Sequence, residues 1–380
     1  MTPVEVRDSL LETVREVVRD RVAPRAANID REGVFPEDIR QLFAEVGLLG
    51  LTVPEAYGGF GAEMELALDV IAEIAATCAN SANIVTQQAL GIAPILFGGT
   101  EAQKHRWLPA LAAGKSLSSF ALTEPDAGSD NRSMRTTFRP VEGGYRIDGG
   151  KVFITWGNLA QVMTVFGRLG PAADGPFMAA VIELPADGFT VNRLEEKMGM
   201  HGSPTTQVTF DGLFAPAENV LGRLGDGLRV ALASLDSGRL EIGALGFGIG
   251  RGALAFAGRY LQQRNQFGRP LSDFQGLRFK VADHATGLEA AYQLLRAAAR
   301  AIDAGSEDAT RLAAMAKLFA TDAGMAAATD AVGLLGGYGY LRDYPVERMM
   351  RDARAMQIVE GTNEIQRLVI AREWFERLGH

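Results

Sequence analysis

Cysteine is almost absent from this chain: Cys78, in the apolar run from Val70, is the single one and has no intrachain partner. Disulfide scaffolding is excluded, a reducing, cytoplasmic setting fits, and Cys78 reads as a small buried core residue. Histidine is scarce too. His105, His201, His284 and His380 are scattered, with no cysteine cluster beside them, so no metal site is expected. The N-terminus lacks the basic-then-apolar layout of a secretory leader. Thr2, Pro3 and Glu5 instead form a capping box with proline at the first helical position, which predicts an opening helix. Uninterrupted apolar runs are missing as well: the longest candidate, Ile242 to Gly258, is broken by Arg251 and rich in glycine, so no membrane span is expected. Nor is there an excess of positive charge. A formal net charge of -8 argues against nucleic acid or an anionic membrane as a partner.

What is present is an ordinary globular composition, 47% hydrophobic and 22% charged over 380 residues, enough for two or three packed units. Residues 1–118 read as helical, from Val4, Leu10, Leu11 and Val14 and then Ile39, Leu42, Phe43 and Val46. Val53 to Gly61 is a loop, and Thr100 with Gln103 is a capping box opening a helix that ends near Gly114. Residues 119–226 change to short strands and turns. Tyr145 to Thr155 alternates around an Asp148-Gly149 hairpin signal, and Phe177 to Leu184 and Gln207 to Phe210, before Asp211-Gly212, continue the pattern. Residues 227–380 are again helical, with breaks at Gly268-Arg-Pro270, Asp303-Ala-Gly305 and Gly336-Gly337. The order helix, β, helix predicts an α+β chain of segregated units: an N-terminal helical domain, a small central β-barrel or sandwich, and a C-terminal helical bundle. Gly246 to Gly252 is glycine-rich but lacks dinucleotide-fingerprint spacing and a preceding strand; Gly246 and Gly250 instead suit close helix packing.

Two segments could carry chemistry. Phe120-Ala-Leu-Thr-Glu-Pro-Asp-Ala-Gly-Ser-Asp130 is dense in turn formers, with small residues that let backbone N–H groups approach an anionic ligand; the bland alternative is a plain interdomain turn. In the run Arg351 to Arg367, Glu360 follows an apolar pair and precedes a Gly-Thr turn. Thr362 is the expected N-cap of a helix read from Ile365, Leu368 and Val369, with Glu364 in its first turn. A carboxylate on so short an approach can be turned inward. The helix N-terminus would lower its pKa and burial would raise it, and desolvation is expected to win once a ligand is bound.

Leu122 to Asp130, Lys151-Val-Phe-Ile-Thr155, Arg264-Asn-Gln-Phe-Gly-Arg-Pro270, Gly336-Gly-Tyr-Gly-Tyr340 and Ile358-Val-Glu-Gly-Thr362 resemble, in order and spacing, the signatures of acyl-CoA dehydrogenases. The resemblance covers essentially the whole chain and implies a C-terminal four-helix bundle and a non-covalent FAD. Phe120, Leu122, Thr123 and Ser129 would line the flavin, Phe153 would pack on its ring, and Thr155 would bond near N5. Arg264, Phe267, Gln275, Gly333, Gly336 and Gly337 would hold the adenosine-diphosphate end of a neighbouring subunit's FAD, and Thr362 and Glu364 would also touch the cofactor. Read by themselves, Phe153 and Phe267 are core aromatics, Arg264 is a solvated helix charge, and Gln275 closes a capping box begun at Ser272.

The implied reaction makes a 2,3-enoyl-CoA, with Glu360 as the base and flavin N5 as hydride acceptor. Ser129, Asp236, Arg239 and Gly361 would contact substrate, Asp236 and Arg239 at its CoA portion; alternatively those two are a helix charge pair. Where some branches of the family carry the base on an earlier helix, this chain has Gly238, which cannot take a proton. The resemblance further implies fatty acid metabolism, a homotetramer or homodimer, and an electron-transferring flavoprotein as acceptor. Alternatives are an acyl group held on a carrier protein, oxygen as reoxidant, or a flavin-holding nucleic-acid-associated protein. Three positions depart from the pattern: Trp156, expected to narrow the flavin edge, Gly333 in place of a cofactor-contacting Gln, and His201 in place of Arg. Gln87, Gln88 and Leu90 are read as bordering the acyl pocket, the glutamines hinting at a polar or branched substrate.

Overall fold

The computed structural model describes residues 3–170 and 174–379, the side chains of Pro3 and Val4 excepted. Thr2 of the expected capping box and the Val4 side chain therefore lie outside the described residues, while the opening helix is present as α1 (Pro3–Val17). It runs through a π turn and a 3-10 turn into α2 (Ala26–Glu32), and α3 (Glu37–Glu45), α4 (Met64–Ala75), α5 (Ala79–Gly98) and α6 (Glu101–Ala112) complete the first helical block. Leu11, Val14, Ile39 and Phe43 face its core, as their spacing requires. Cys78 is buried there, and burial pushes its thiol up, away from the reactive thiolate. Thr100 caps α6 in a reciprocal box: Gln103 N–H donates to its Oγ1 at 3.3 Å, and the Gln103 side chain accepts from Thr100 N–H at 2.7 Å.

Seven strands make the central curled sheet: β1 (Ser118–Ala121), β2 (Thr137–Val141), β3 (Gly144–Thr155), β4 (Val162–Leu169), β5 (Phe177–Glu183), β6 (Phe189–Leu194) and β7 (Thr205–Pro216). β4 pairs in parallel with β1 and β2 in succession and antiparallel with β5, which lets the sheet curl. The expected turns at Asp148-Gly149 and Asp211-Gly212 are not turns. Both pairs lie inside the long antiparallel ladder of β3 and β7, facing one another as a bulge, with Gly212 N–H donating to Asp148 Oδ1 at 2.8 Å. The left-handed Gly212 (φ 62°) that signals a hairpin in sequence also suits a bulge, and the real β2–β3 hairpin turns at Gly143. A second bulge falls between Lys151 and Ile154.

The C-terminal bundle is built from α7 (Gly227–Gln263), α8 (Gln275–Asp303), α9 (Ala309–Leu335), α10 (Pro345–Met356) and α11 (Asn363–Leu378), with the β8–β9 hairpin (Asn265–Gln266, Arg269–Pro270) between α7 and α8. Among the described residues two helical stretches are apolar and long enough to cross a membrane, α7 and the run from Ala309 to Tyr340. α7 is mostly buried inside the chain, as the central core helix. Glycines on two of its faces make that possible. Gly246 and Gly250 meet Gly324 of α9, as their spacing suggests, and Gly248 and Gly252 lie against the Ala72 and Ala76 backbone at the end of α4. A Cβ on Gly324 would sit 2.1 Å from the Gly246 carbonyl oxygen. Gly324→Val is therefore expected to cost about 1–3 kcal/mol through overpacking and to lower the midpoint of thermal unfolding.

Candidate active site

The turn between α10 and α11 carries Glu360 in the left-handed region, φ 54°, which a non-glycine residue occupies only when its surroundings hold it there. They do. Lys317 on α9, wholly buried, donates from Nζ to the Gly361 carbonyl at 3.0 Å and to Asn363 Oδ1 at 2.9 Å. The buried Gln366 amide donates to the same Gly361 carbonyl at 2.8 Å, and Asn363 Nδ2 donates to Asp322 at 2.7 Å. Thr362 caps α11, its Oγ1 accepting from Ile365 N–H at 3.3 Å, while the Glu364 side chain is 80% exposed beside Arg367.

This geometry turns the Glu360 carboxyl inward. Its Oε2 is buried, has no hydrogen-bond partner among the described residues, and lies against Gly238 of α7, so closely that a Cβ there would be 2.1 Å away. Burial pushes the carboxyl up to about 7, against the opposing pull of the Lys317 and Arg239 charges. Two cations supply a lowering influence besides the helix N-terminus, and burial by the protein already outweighs them without a bound ligand. Arg239 is 5% exposed and pairs with Asp236, whose other carboxylate oxygen accepts from Thr310 Oγ1 at 2.8 Å. The two form an i,i+3 charge pair well inside α7, with Arg239 buried and Asp236 half-buried.

On the sheet, the second bulge places Val152 and Phe153 opposite Gln207 alone. Phe153 takes φ 59° and projects into solvent, 67% exposed, so it is not the core aromatic that its alternation suggests. Val152 N–H, free of the ladder, donates to the Thr123 carbonyl at 2.9 Å. Buried Lys151 donates to the Leu122 carbonyl and to Glu124 Oε1, each at 2.8 Å, and Glu124 also accepts from the backbone of Arg135 and Thr136. Leu122 and Thr123 are thereby held beside Phe153, on the loop that also carries Ser129. Phe120 precedes it on β1, packed on Phe166, and Ser119 Oγ donates to the Thr155 carbonyl at 2.7 Å.

A cleft of about 510 Å³ forms at the far end of the bundle, where Arg264, Gly333, Gly336 and Gly337 come together with Tyr260 and Tyr338. A Cβ on any of the three glycines would meet open space, so bare backbone lines the cleft. Phe267 stands at the hairpin tip, 92% exposed, and Gln275 opens α8; neither lines the cleft. Ser272 is not the expected cap, since it lies in a 3-10 turn and no side chain caps α8.

Family models for the N-terminal, middle and C-terminal domains of acyl-CoA dehydrogenases match residues 5–115, 119–213 and 225–375. The chain belongs to the acyl-CoA dehydrogenase family. It is thus a flavin-dependent oxidoreductase by membership. An acyl-CoA dehydrogenase of Bacillus subtilis is 44% identical over 367 residues, covering 94% of this chain and 95% of that one. The structure of butyryl-CoA dehydrogenase from Megasphaera elsdenii superposes with a TM-score of 0.95 at 36% identity, over 99% of both chains. A prolyl acyl carrier protein oxidase superposes with a TM-score of 0.92 at 29% identity, over 97% of this chain and 98% of that one.

The departures from the family pattern have local explanations. Trp156 does not narrow an open edge: it is fully buried, edge-on to Phe35 at 5.4 Å. His201 ties the sheet domain to α2, its Nδ1 lying 3.1 Å from the Asp30 carbonyl. Gln88 is consumed by backbone groups of Leu111, Ser116 and Ser118, and Gln87 lies 3.4 Å from the Ser118 carbonyl, so neither marks a polar acyl pocket. Lys317 and Glu241 were missed, although both sit alone on apolar helical faces, Lys317 between Ala313, Ala316 and Ala320. Gly238→Ala is expected to leave bound flavin and circular dichroism unchanged while the displaced carboxylate costs about 10²-fold in kcat.

Proposed function

We infer that this protein oxidises a saturated acyl-CoA thioester to its 2,3-enoyl form, with Glu360 as the α-proton-abstracting base. The observation that carries the reading is the half-buried Glu360 side chain, whose Oε2 is buried without a hydrogen-bond partner among the described residues and whose carboxyl is pushed up to about 7, where a general base is most effective at neutral pH. The residues present fit FAD. An exposed aromatic at a strained bulge, Phe153, offers a stacking face; the loop of Leu122, Thr123 and Ser129 offers backbone and hydroxyl donors; and the glycine-lined cleft beside Arg264 suits a phosphate-bearing neighbour. Bound there, FAD supplies the acceptor for the β-hydride.

The chain's own part is binding, orientation and the proton. The Glu360 carboxylate takes the α-proton, and Lys317 and Arg239 favour its ionised form. The surface around Asp236 and Arg239 is assigned to the CoA portion, and Gly361 to the substrate's reacting end. Arg264, Gly333, Gly336 and Gly337, with Phe267 and Gln275 beside them, are assigned to FAD of a neighbouring subunit. Phe267 and Tyr340 are 92% and 84% exposed near that cleft, which supports assembly into a homotetramer. Electrons then pass to an electron-transferring flavoprotein.

Anaerobic mixing of the holoprotein with an acyl-CoA panel is expected to bleach the yellow flavin band with at least one saturated thioester. Bleaching only by an acyl group on a carrier protein would select the chemistry named for the carrier protein oxidase instead. Glu360→Gln should abolish bleaching, by about 10²–10⁴-fold in rate, with flavin retained. For the wild type, kcat/KM should climb tenfold per pH unit below about 7 and level off above it. The same shift acts on stability with opposite sign. A folded-state pKa raised from 4.5 to about 7 contributes stability below 4.5 that is lost as pH rises through 7. Glu360→Gln should gain on the wild type across that window, by up to about 3 kcal/mol in denaturant unfolding.

A further inference from the structure

Glu241 lies three residues beyond Gly238, on the same side of α7 as the seat of the Glu360 carboxyl. It is 3% exposed, its Oε2 has no hydrogen-bond partner, and among the described residues no basic side chain pairs with it. The side chain borders a cavity of about 10 Å³ walled by Leu51, Ile71, Val85, Ala89, Ile92 and their neighbours, with Thr52 the only other polar residue of the wall. That cavity adjoins the seat of the base through α5. Leu90 Cδ1 is 3.3 Å from the place a Cβ on Gly238 would take, and Ala89 and Ile92 flank Leu90.

An unpartnered carboxyl in such a wall is unfavourable, and a leucine or methionine there would fill the space without that penalty. The cavity has room for about one water, which needs two to four polar partners and would find Glu241 and Thr52. Burial and the nearby Glu360 charge push the Glu241 carboxyl well above the usual carboxylate range, which favours the protonated form, with an O–H to donate and a carbonyl to accept. A hydroxyl complements both functions, whereas a methyl in its place leaves both unmet.

We propose that Glu241 is a specificity-determining residue, which hydrogen-bonds a hydroxyl or carbonyl oxygen on the distal part of the acyl chain and so favours oxygen-bearing acyl thioesters over alkyl ones. The proposal rests on the reading of Glu360 as base of an acyl thioester dehydrogenation, whose acyl chain runs past Gly238 toward this cavity.

Two isosteric pairs test it on the holoprotein: 4-hydroxybutyryl-CoA against pentanoyl-CoA, and 5-hydroxypentanoyl-CoA against hexanoyl-CoA. The wild type should prefer the hydroxyl member of at least one pair by about tenfold or more in kcat/KM, because a site built around a buried polar group rejects the analogue that leaves it unpaired. Calorimetric affinities for the corresponding 2-enoyl products should follow the same order without turnover. Glu241→Leu should reverse the preference and Glu241→Gln should retain part of it, with flavin content confirming the fold of both. Equal use of both members by the wild type, with the ratio unmoved in Glu241→Leu, overturns this proposal while leaving the dehydrogenase reading intact. Failure of every thioester to bleach the flavin overturns both.

Discussion

The active end of this molecule depends on one buried ammonium. Lys317 sits on α9 among alanines, and its Nζ is spent on Gly361 and Asn363, the backbone and side chain that flank the left-handed Glu360 turn. Burial lowers Lys317 to about 8, partly opposed by Glu360 and Asp322, so the cation persists at neutral pH because the turn's oxygens and these acids surround it. It thereby fixes a strained backbone and favours the ionised form of the carboxyl that the backbone presents. The same atom thus bears on both position and acidity.

A second buried lysine plays the corresponding part on the sheet. Lys151 also lies at about 8 through burial, and with Glu124 it fastens the 122–136 segment to β3. The adjacent bulge frees Val152 to bond that segment and turns Phe153 outward. These two loops are therefore each anchored from beneath by a charge held in the core. The exposed face above remains available for binding.

Much of this was legible in the chain. Helix, sheet and helix followed from periodicity, the Thr100 and Thr362 caps from residue type, and the approach of α7 to α9 from the Gly246–Gly250 spacing. Asp-Gly pairs misled because the left-handed glycine of a hairpin is also the glycine of a bulge, and only the partner strand distinguishes them. Phe153 misled in the same way, since a bulge reverses the face that alternation assigns. Glu241 and Lys317 escaped because a lone charge in an apolar run looks like a tolerated exception until three-dimensional packing shows that it faces inward.

The seat of the Glu360 carboxyl on Gly238 couples the two positions. A single added methyl on α7 would occupy the volume of the oxygen, so any side chain at 238 obliges the carboxyl end of Glu360 to shift. A change at 238 therefore reaches the turn at 360 through the carboxyl itself, and the smallest residue on α7 sets where that carboxyl rests.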